Sequence, residues 1–271
     1  MIFFLHIPKT AGTTFEFILE NNFGFSHCHT DHTRKKKFQQ ADLDFARKIF
    51  PRLRSIAGHN LVDPLQLSAP NPFHLTFLRD PVERVFSQYQ EIANMDRHAG
   101  KNPPTFEEAL RRDERYENLH VKLMAGERNL DKAKHFLETC GFVGLTEKFD
   151  LSLRVLNRLA PCKLNLNYQL RRAAKDNSSK AALRNDRRLT RLARELNQLD
   201  IQLYDFAANV IFPKLSAQAG LDASASVASF ENYTHEIRPK FLLSRFWNQS
   251  IYRQLCKLKY MRLTARAGNA F

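Results

Sequence analysis

Apolar residues fall in two rhythms along the chain. Short unbroken runs, IFFLHI from residue 2, FHLTFL from residue 73 and GFVGL from residue 141, are rich in aromatic and β-branched side chains and predict buried strands. LRSIAGHN predicts a further strand that ends at Gly58 and His59. Between the runs, apolar positions recur at helical spacing. Phe15, Ile18 and Leu19 follow the first run, and Leu43, Ala46 and Phe50 lie on one side of residues 40–50. Shorter helices are expected over 105–139, another from Thr146, and a long amphipathic helical region over 186–219. DPVERVFSQYQEI marks a helix start: Asp80 can cap, Pro81 suits the first helical position and Glu83 completes a capping-box pattern. FSHCHTDHTRKKKF has neither rhythm and is expected to be an irregular surface loop. This strand–helix alternation predicts an α/β fold with a central, mainly parallel sheet flanked by helices.

The 271 residues allow one large domain or two small ones. The pattern favours one domain over residues 1–220 and a basic, helical extension over 221–271 packed on it. The extension opens with an Ala- and Ser-rich stretch, 221–234, that reads as a linker. After Glu236 it carries eight basic residues and no acidic one. Leu243, Trp247, Ile251, Leu255 and Leu258 form one helical stripe there, expected to face the main domain; a peripheral membrane or glycan contact is the alternative. The net charge of +14 points to an anionic partner, whether nucleic acid, a membrane surface or a polyanionic ligand or glycan, without choosing among them. Cys28, Cys140, Cys162 and Cys256 form no CxxC pair, which fits reduced thiols better than a zinc site or a disulfide framework. No stretch approaches membrane-spanning length, and MIFFL is too short for a signal-peptide core and lacks a basic leader, so a cytoplasmic location is expected.

In open α/β sheets, ligands bind at the carboxyl ends of the strands. Three predicted strand ends carry polar groups: Lys9 to Thr14, His59, and Arg79. In LHIPKTAGTTFEFI, a helix starting near Thr13 offers backbone N–H groups and a positive dipole end to a phosphate or sulfate. Gly12 permits close backbone approach, Thr13 and Thr14 add hydroxyls, and Lys9 adds a charge. The logic is that of a Walker A loop, but the second glycine and the Gly-Lys-Ser/Thr are absent. On spacing alone, a threonine-capped helix beside a solvated lysine explains the stretch equally well.

HIPKTAGTT resembles the 5′-phosphosulfate loop of sulfotransferases that use 3′-phosphoadenosine 5′-phosphosulfate (PAPS), nearest to the branch of the heparan sulfate 2-O-sulfotransferases and related carbohydrate enzymes. FLRDPVERVFSQY is similar to that branch's 3′-phosphate motif, an arginine at a strand end and a serine eight residues later. GHN at 58–60 resembles the segment that holds its catalytic histidine, and VGLTEKFDLSL and LDIQLYDFA also look like segments of those enzymes. The likeness spans residues 2–212 and implies a P-loop NTPase-like, three-layer fold.

Carried over, the resemblance implies that Lys9, Thr10, Gly12, Thr13 and Thr14 hold the 5′-phosphosulfate, and that Lys9 also stabilises charge on the bridging and leaving oxygens. It implies that Arg79 and Ser87 bind the 3′-phosphate, where a planar guanidinium fork suits the anion, and that His59 is the general base. Arg171 and Arg172, in NYQLRRAAKDNSS, resemble a basic loop that closes over the cofactor, although RRAA departs from its pattern. Ala57 stands where the heparan enzymes have a second histidine, and Arg84 is expected to be structural. The implied reaction is in-line transfer of a sulfuryl group from PAPS to a hydroxyl acceptor, expected to be a carbohydrate, with 3′-phosphoadenosine 5′-phosphate as product and no metal required. His27, His29 and His32 lack a supporting ligand set and are expected in a solvated or acceptor-facing loop rather than on zinc. RKKK at 34–37 reads as a solvated run that could also meet an anionic acceptor. Two rivals stand beside this reading. A nucleotide-dependent kinase on a related fold needs a Gly-Lys-Ser/Thr loop and a magnesium-holding carboxylate. A non-catalytic basic nucleic-acid-binding protein leaves the first two motifs unexplained, so nucleic acid is not the expected partner.

Overall fold

In the computed structural model, which describes residues 1–50, 52–169, 178–231 and 239–259, the apolar runs become strands of one sheet. Strands β1 (Ile2–Leu5), β2 (His27–His29), β3 (Ser55–Gly58), β4 (Phe73–Leu78) and β5 (Phe142–Leu145) lie in the order β2-β3-β1-β4-β5. Every pairing is parallel, with Leu5 of the central strand opposite Gly58 on one side and Thr76 on the other. Parallel neighbours require crossover connections, and helices supply them. Between the strands run α1 (Gly12–Phe23), α2 (Gln40–Ile49), α3 (Pro81–His98), α4 (Phe106–Arg112), α5 (Leu119–Ala125) and α6 (Leu130–Thr139); after β5 come α7 (Phe149–Leu159), α8 (Ser178–Asn185), α9 (Arg187–Leu196), α10 (Gln198–Phe206), α11 (Phe212–Gln218) and α12 (Pro239–Phe246). All four residues of β1 are buried, as an unbroken apolar run in a sheet covered on both faces must be. The expected three-layer α/β architecture is therefore present.

The start of α3 follows its sequence signal with one exchange. Asp80 accepts from the Glu83 N–H at 2.9 Å, and Pro81 opens the helix. The Asp80 N–H, which the capping-box pattern assigns to Glu83, instead donates to Glu147 at 2.9 Å. The Glu83 carboxylate accepts from Arg184, and Glu147 also accepts from the Tyr204 hydroxyl at 2.8 Å. One glutamate after β5 thus ties the end of β4 to α10.

Other expectations give way to packing. FSHCHTDHTRKKKF is not an irregular loop: it contains β2, where His27 and Cys28 are fully buried. The His27 ring satisfies Nδ1 on the Ser55 hydroxyl at 3.1 Å, so a polar residue fills a buried strand position. The region 186–219 resolves into α9, α10 and α11, separated at Asn197 and by a π turn at Ala207–Ile211. Asn197 makes that break useful by donating to the Tyr116 carbonyl and accepting from the Asn118 N–H. The described part of the expected linker is strapped down: Phe230 donates its N–H to Asp150 and accepts from the Tyr168 N–H.

In the C-terminal segment the buried face is Phe241, Ser244, Asn248, Tyr252 and Cys256, not the expected stripe. Leu243 and Leu258 of that stripe are exposed, as are Leu242 and Phe246. Specific fits decide this. Tyr252 packs its ring 5.0 Å from that of Phe50, and the Asn248 side-chain amide donates to the His27 carbonyl at 3.1 Å. Among the described residues, no helix is long and apolar enough to cross a membrane.

Candidate active site

Residues 6–11 join β1 to α1 in a tight turn. Lys9 and Ala11 both have positive φ, 71° and 63°, a region that side-chain-bearing residues enter at a cost and that clusters at functional sites. Ala11 is the N-cap of α1 and supplies no side-chain cap, so helix geometry leaves the Gly12 and Thr13 N–H groups without an intrahelical acceptor. Thr10 is wholly buried and donates its hydroxyl to the Ile7 carbonyl at 2.9 Å, so it locks the turn from inside. Thr14 is buried as well, whereas Thr13 lines a cavity. The group packed against Gly12 is the His6 ring: a Cβ at residue 12 would lie 1.9 Å from His6 Cδ2.

The second motif reaches the same turn from β4. Arg79 donates from Nη1 to the Lys9 carbonyl at 3.2 Å across seventy residues of sequence, and its Nη2 lies 3.9 Å from Glu83. The Lys9 ammonium pairs with Glu91 at 3.3 Å. Lys9, Ser87 and Glu91 together line a cavity of about 560 Å³. Arg84 is fully buried and donates to the Arg115 carbonyl, a structural role as expected. Arg171 and Arg172 lie outside the described residues.

His59 follows β3. Its N–H donates to Asp31 at 2.9 Å, and its Nδ1 lies 2.6 Å from the His6 carbonyl. A carbonyl only accepts, so Nδ1 carries the proton and Nε2 keeps its lone pair. Although the residue has an exposed side, burial of the ring and then the facing His6 lower its pKa, against Asp31 and Glu16. A neutral imidazole with a free Nε2 is a competent base near neutral pH.

The His6 and His59 ring centroids are 4.0 Å apart, and His6 Nδ1 lies 3.0 Å from Glu16. Burial alone would raise the Glu16 carboxyl, but His6, by charge and hydrogen bond, together with His29 and His59, holds it well below the usual carboxylate range. Ala57 is buried in β3, so the second imidazole beside His59 belongs to His6. Sequence reasoning missed His6, Glu16 and Asp31. The only signal was a histidine at the strand end and a glutamate one turn beyond Gly12.

A model of the sulfotransferase family matches residues 1–207. The chain belongs to the sulfotransferase family. A solved sulfotransferase from Alicyclobacillus acidocaldarius is 14% identical over 93% of this chain and 92% of that chain, with a TM-score of 0.33, a likeness too distant to inform the site. No curated protein matches the chain.

Along α1, the sulfotransferase has a smaller cavity of about 220 Å³. Thr13, Glu16, Glu20, His29, Asp31 and Arg245 are among its lining residues, and His32 is another. Two of the three clustered histidines thus face a cavity at the start of α1, while His27 points inward at Ser55. His29 Nε2 lies 2.5 Å from Glu20. Burial would lower the His29 pKa, but the Glu20 hydrogen bond and the charges of Glu16, Glu20 and Asp31 raise it. Among the described residues, no group of three or more histidine, cysteine or carboxylate side chains is arranged to hold a metal ion.

Proposed function

We propose that this sulfotransferase takes its sulfuryl group from PAPS and passes it to a carbohydrate hydroxyl, with His59 as general base. The observation that supports the reading is the Arg79 bond to the Lys9 carbonyl, which joins the segments HIPKTAGTT and FLRDPVERVFSQY at one turn. His59 is anchored to the same turn by its Nδ1–H on the His6 carbonyl, which leaves Nε2 open. When bound, the donor supplies a sulfuryl group carried on a phosphate leaving group.

The protein's own groups divide the remaining work. Lys9 and the first N–H groups of α1 hold the phosphosulfate end, while the Arg79 fork and the Ser87 hydroxyl hold the 3′-phosphate. His59 takes the acceptor proton on Nε2 and keeps Nδ1–H on the His6 carbonyl. Lys9, once released from Glu91, faces the negative charge that grows on the leaving oxygen. Such catalysis is positioning and electrostatics, with no covalent enzyme intermediate. The carboxylates and histidines of the smaller cavity suit a hydroxyl-rich acceptor, and the likeness of HIPKTAGTT and GHN to carbohydrate enzymes supports that class.

Calorimetry with 3′-phosphoadenosine 5′-phosphate tests the donor. Arg79→Ala is expected to weaken binding by about 10-fold to 10²-fold, the worth of a charge-assisted hydrogen bond. No binding, or equal binding by the variant, overturns the assignment. His59→Ala is expected to lose about 10²–10⁴-fold in turnover with bisphosphate binding intact, and full turnover rejects the base. A screen of acceptors with labelled PAPS decides the class: transfer to sugars supports the reading, and transfer only to other hydroxyl compounds refutes it.

A further inference from the structure

Glu16 and His6 are buried titratable groups that the steps above do not use. The His6 side chain is 5% exposed and the Glu16 side chain 16%. The His6 ring stacks on Phe4 with centroids 5.5 Å apart, sits against the backbone of Gly12 and faces His59. A buried carboxylate is costly unless it is paired, and Glu16 has its partner at 3.0 Å in His6 Nδ1, with His29 Nδ1 at 3.9 Å.

We propose that Glu16 and His6 are positioning residues for His59: Glu16 fixes the His6 ring, and His6 holds His59 through its carbonyl and its ring face. This inference rests on the reading of His59 as the base. A carboxylate only accepts, so Glu16 takes the Nδ1–H of His6 and sets that ring's orientation. The carbonyl of the same residue takes the Nδ1–H of His59 and sets its tautomer. A single residue therefore specifies both the proton position and the surroundings of the base.

Charge balance gives the pair its second effect. In transfer, the acceptor's O–H proton moves to His59 Nε2 while the oxygen's electron pair forms the bond to sulfur; the bond from sulfur to the donor's phosphate oxygen breaks, and its electron pair leaves on 3′-phosphoadenosine 5′-phosphate. The new imidazolium lies beside His6, with the Glu16 carboxylate behind that ring and Asp31 on its own backbone N–H. The groups facing this set are Glu16 from α1, His29 from β2, Asp31 from the turn after β2, and His59 itself. After burial, His6 is the largest influence that lowers the His59 pKa, opposed by Asp31 and Glu16.

The test pairs an NMR titration of the His59 imidazole with the pH dependence of kcat/KM, in wild type and in His6→Asn. The asparagine keeps a donor for Glu16 and removes the imidazole ring. The His59 titration and the acidic limb of kcat/KM should both move to higher pH. The kcat should fall by about 10-fold to 10²-fold, the scale of a misplaced catalytic group, with acceptor KM unchanged. An unmoved titration, or a uniform loss at every pH with a raised KM, overturns the inference while leaving His59 as base. Full turnover by His59→Ala overturns the base reading, and the inference with it. Should His6→Asn fail to fold, Glu16→Gln replaces it: a kcat loss at constant KM supports the proposal, and unchanged kcat rejects it.

Discussion

Gly12→Ala is the smallest change that reaches the site, one methyl group at the start of α1. The added Cβ would lie 1.9, 2.1 and 2.8 Å from Cδ2, Nε2 and Cγ of His6, well inside van der Waals contact. The imidazole has little room to retreat, with Phe4 stacked at 5.5 Å and His59 at 4.0 Å, so yielding means leaving Glu16. Overpacking costs about 1–3 kcal/mol, and losing a hydrogen bond to a charged group about 1.5–3 kcal/mol. Alanine returns about 1 kcal/mol of helix propensity, which leaves a net destabilisation of roughly 1.5–5 kcal/mol. Urea unfolding at constant m-value reads it, and turnover should fall in parallel. The double variant His6→Ala with Gly12→Ala makes room for the methyl group, so its loss should be smaller than the sum of the single losses by more than about 1 kcal/mol. A single variant within about 0.5 kcal/mol of wild type at full turnover, or strict additivity in the cycle, would refute the reasoning.

Glu91→Gln removes the carboxylate 3.3 Å from the Lys9 ammonium and should tighten 3′-phosphoadenosine 5′-phosphate binding by up to about fivefold, the scale of a partly exposed ion pair; weaker binding by calorimetry would show that Glu91 helps to place Lys9. His120 is fully buried with neither ring nitrogen hydrogen-bonded, its Nδ1 3.7 Å from Asp200, and burial, against that carboxylate, pushes its pKa down to about 4. Its folded-state value lies below the unfolded one, so stability is full above pH 6.5 and falls as pH drops toward 4. The slope from this group is at most about 1.4 kcal/mol per pH unit, and denaturation midpoints for His120→Leu should lose that component. Glu147→Ala frees the Asp80 N–H and the Tyr204 hydroxyl together, so thermal unfolding should report a loss of about 2–3 kcal/mol. Tyr204→Phe should cost about 1 kcal/mol; equal losses in the two variants would mean that the Asp80 bond contributes nothing.

Four of the five strands could be read from the chain because a sheet buried on both faces favours apolar runs: β1 and β5 have them unbroken, and β3 and β4 have them with only Ser55, His74 and Thr76 interposed. β2 could not, since His27 and His29 count as polar until Ser55 and Glu20 satisfy their rings. The C-terminal helix failed for the converse reason: its buried face contains Ser244, Asn248 and Tyr252, chosen by hydrogen bonding and shape rather than by hydropathy. At the site, Lys9, Arg79 and His59 stood out because charge at a strand end is conspicuous. Glu16 and Glu147 look like ordinary surface glutamates, and only the folding of α1 onto β1 and of α10 beside β5 turns them into partners.

The Asn248 contact to β2 has a consequence for how the chain can be divided. The family match stops at residue 207, yet β2 is an edge strand, and the C-terminal helix packs on it. Asp31, just past that strand, carries the backbone of His59. A truncated enzyme that ended with the matched region would open an unguarded sheet border to self-association and would slacken the turn beneath His59, even with every motif residue intact.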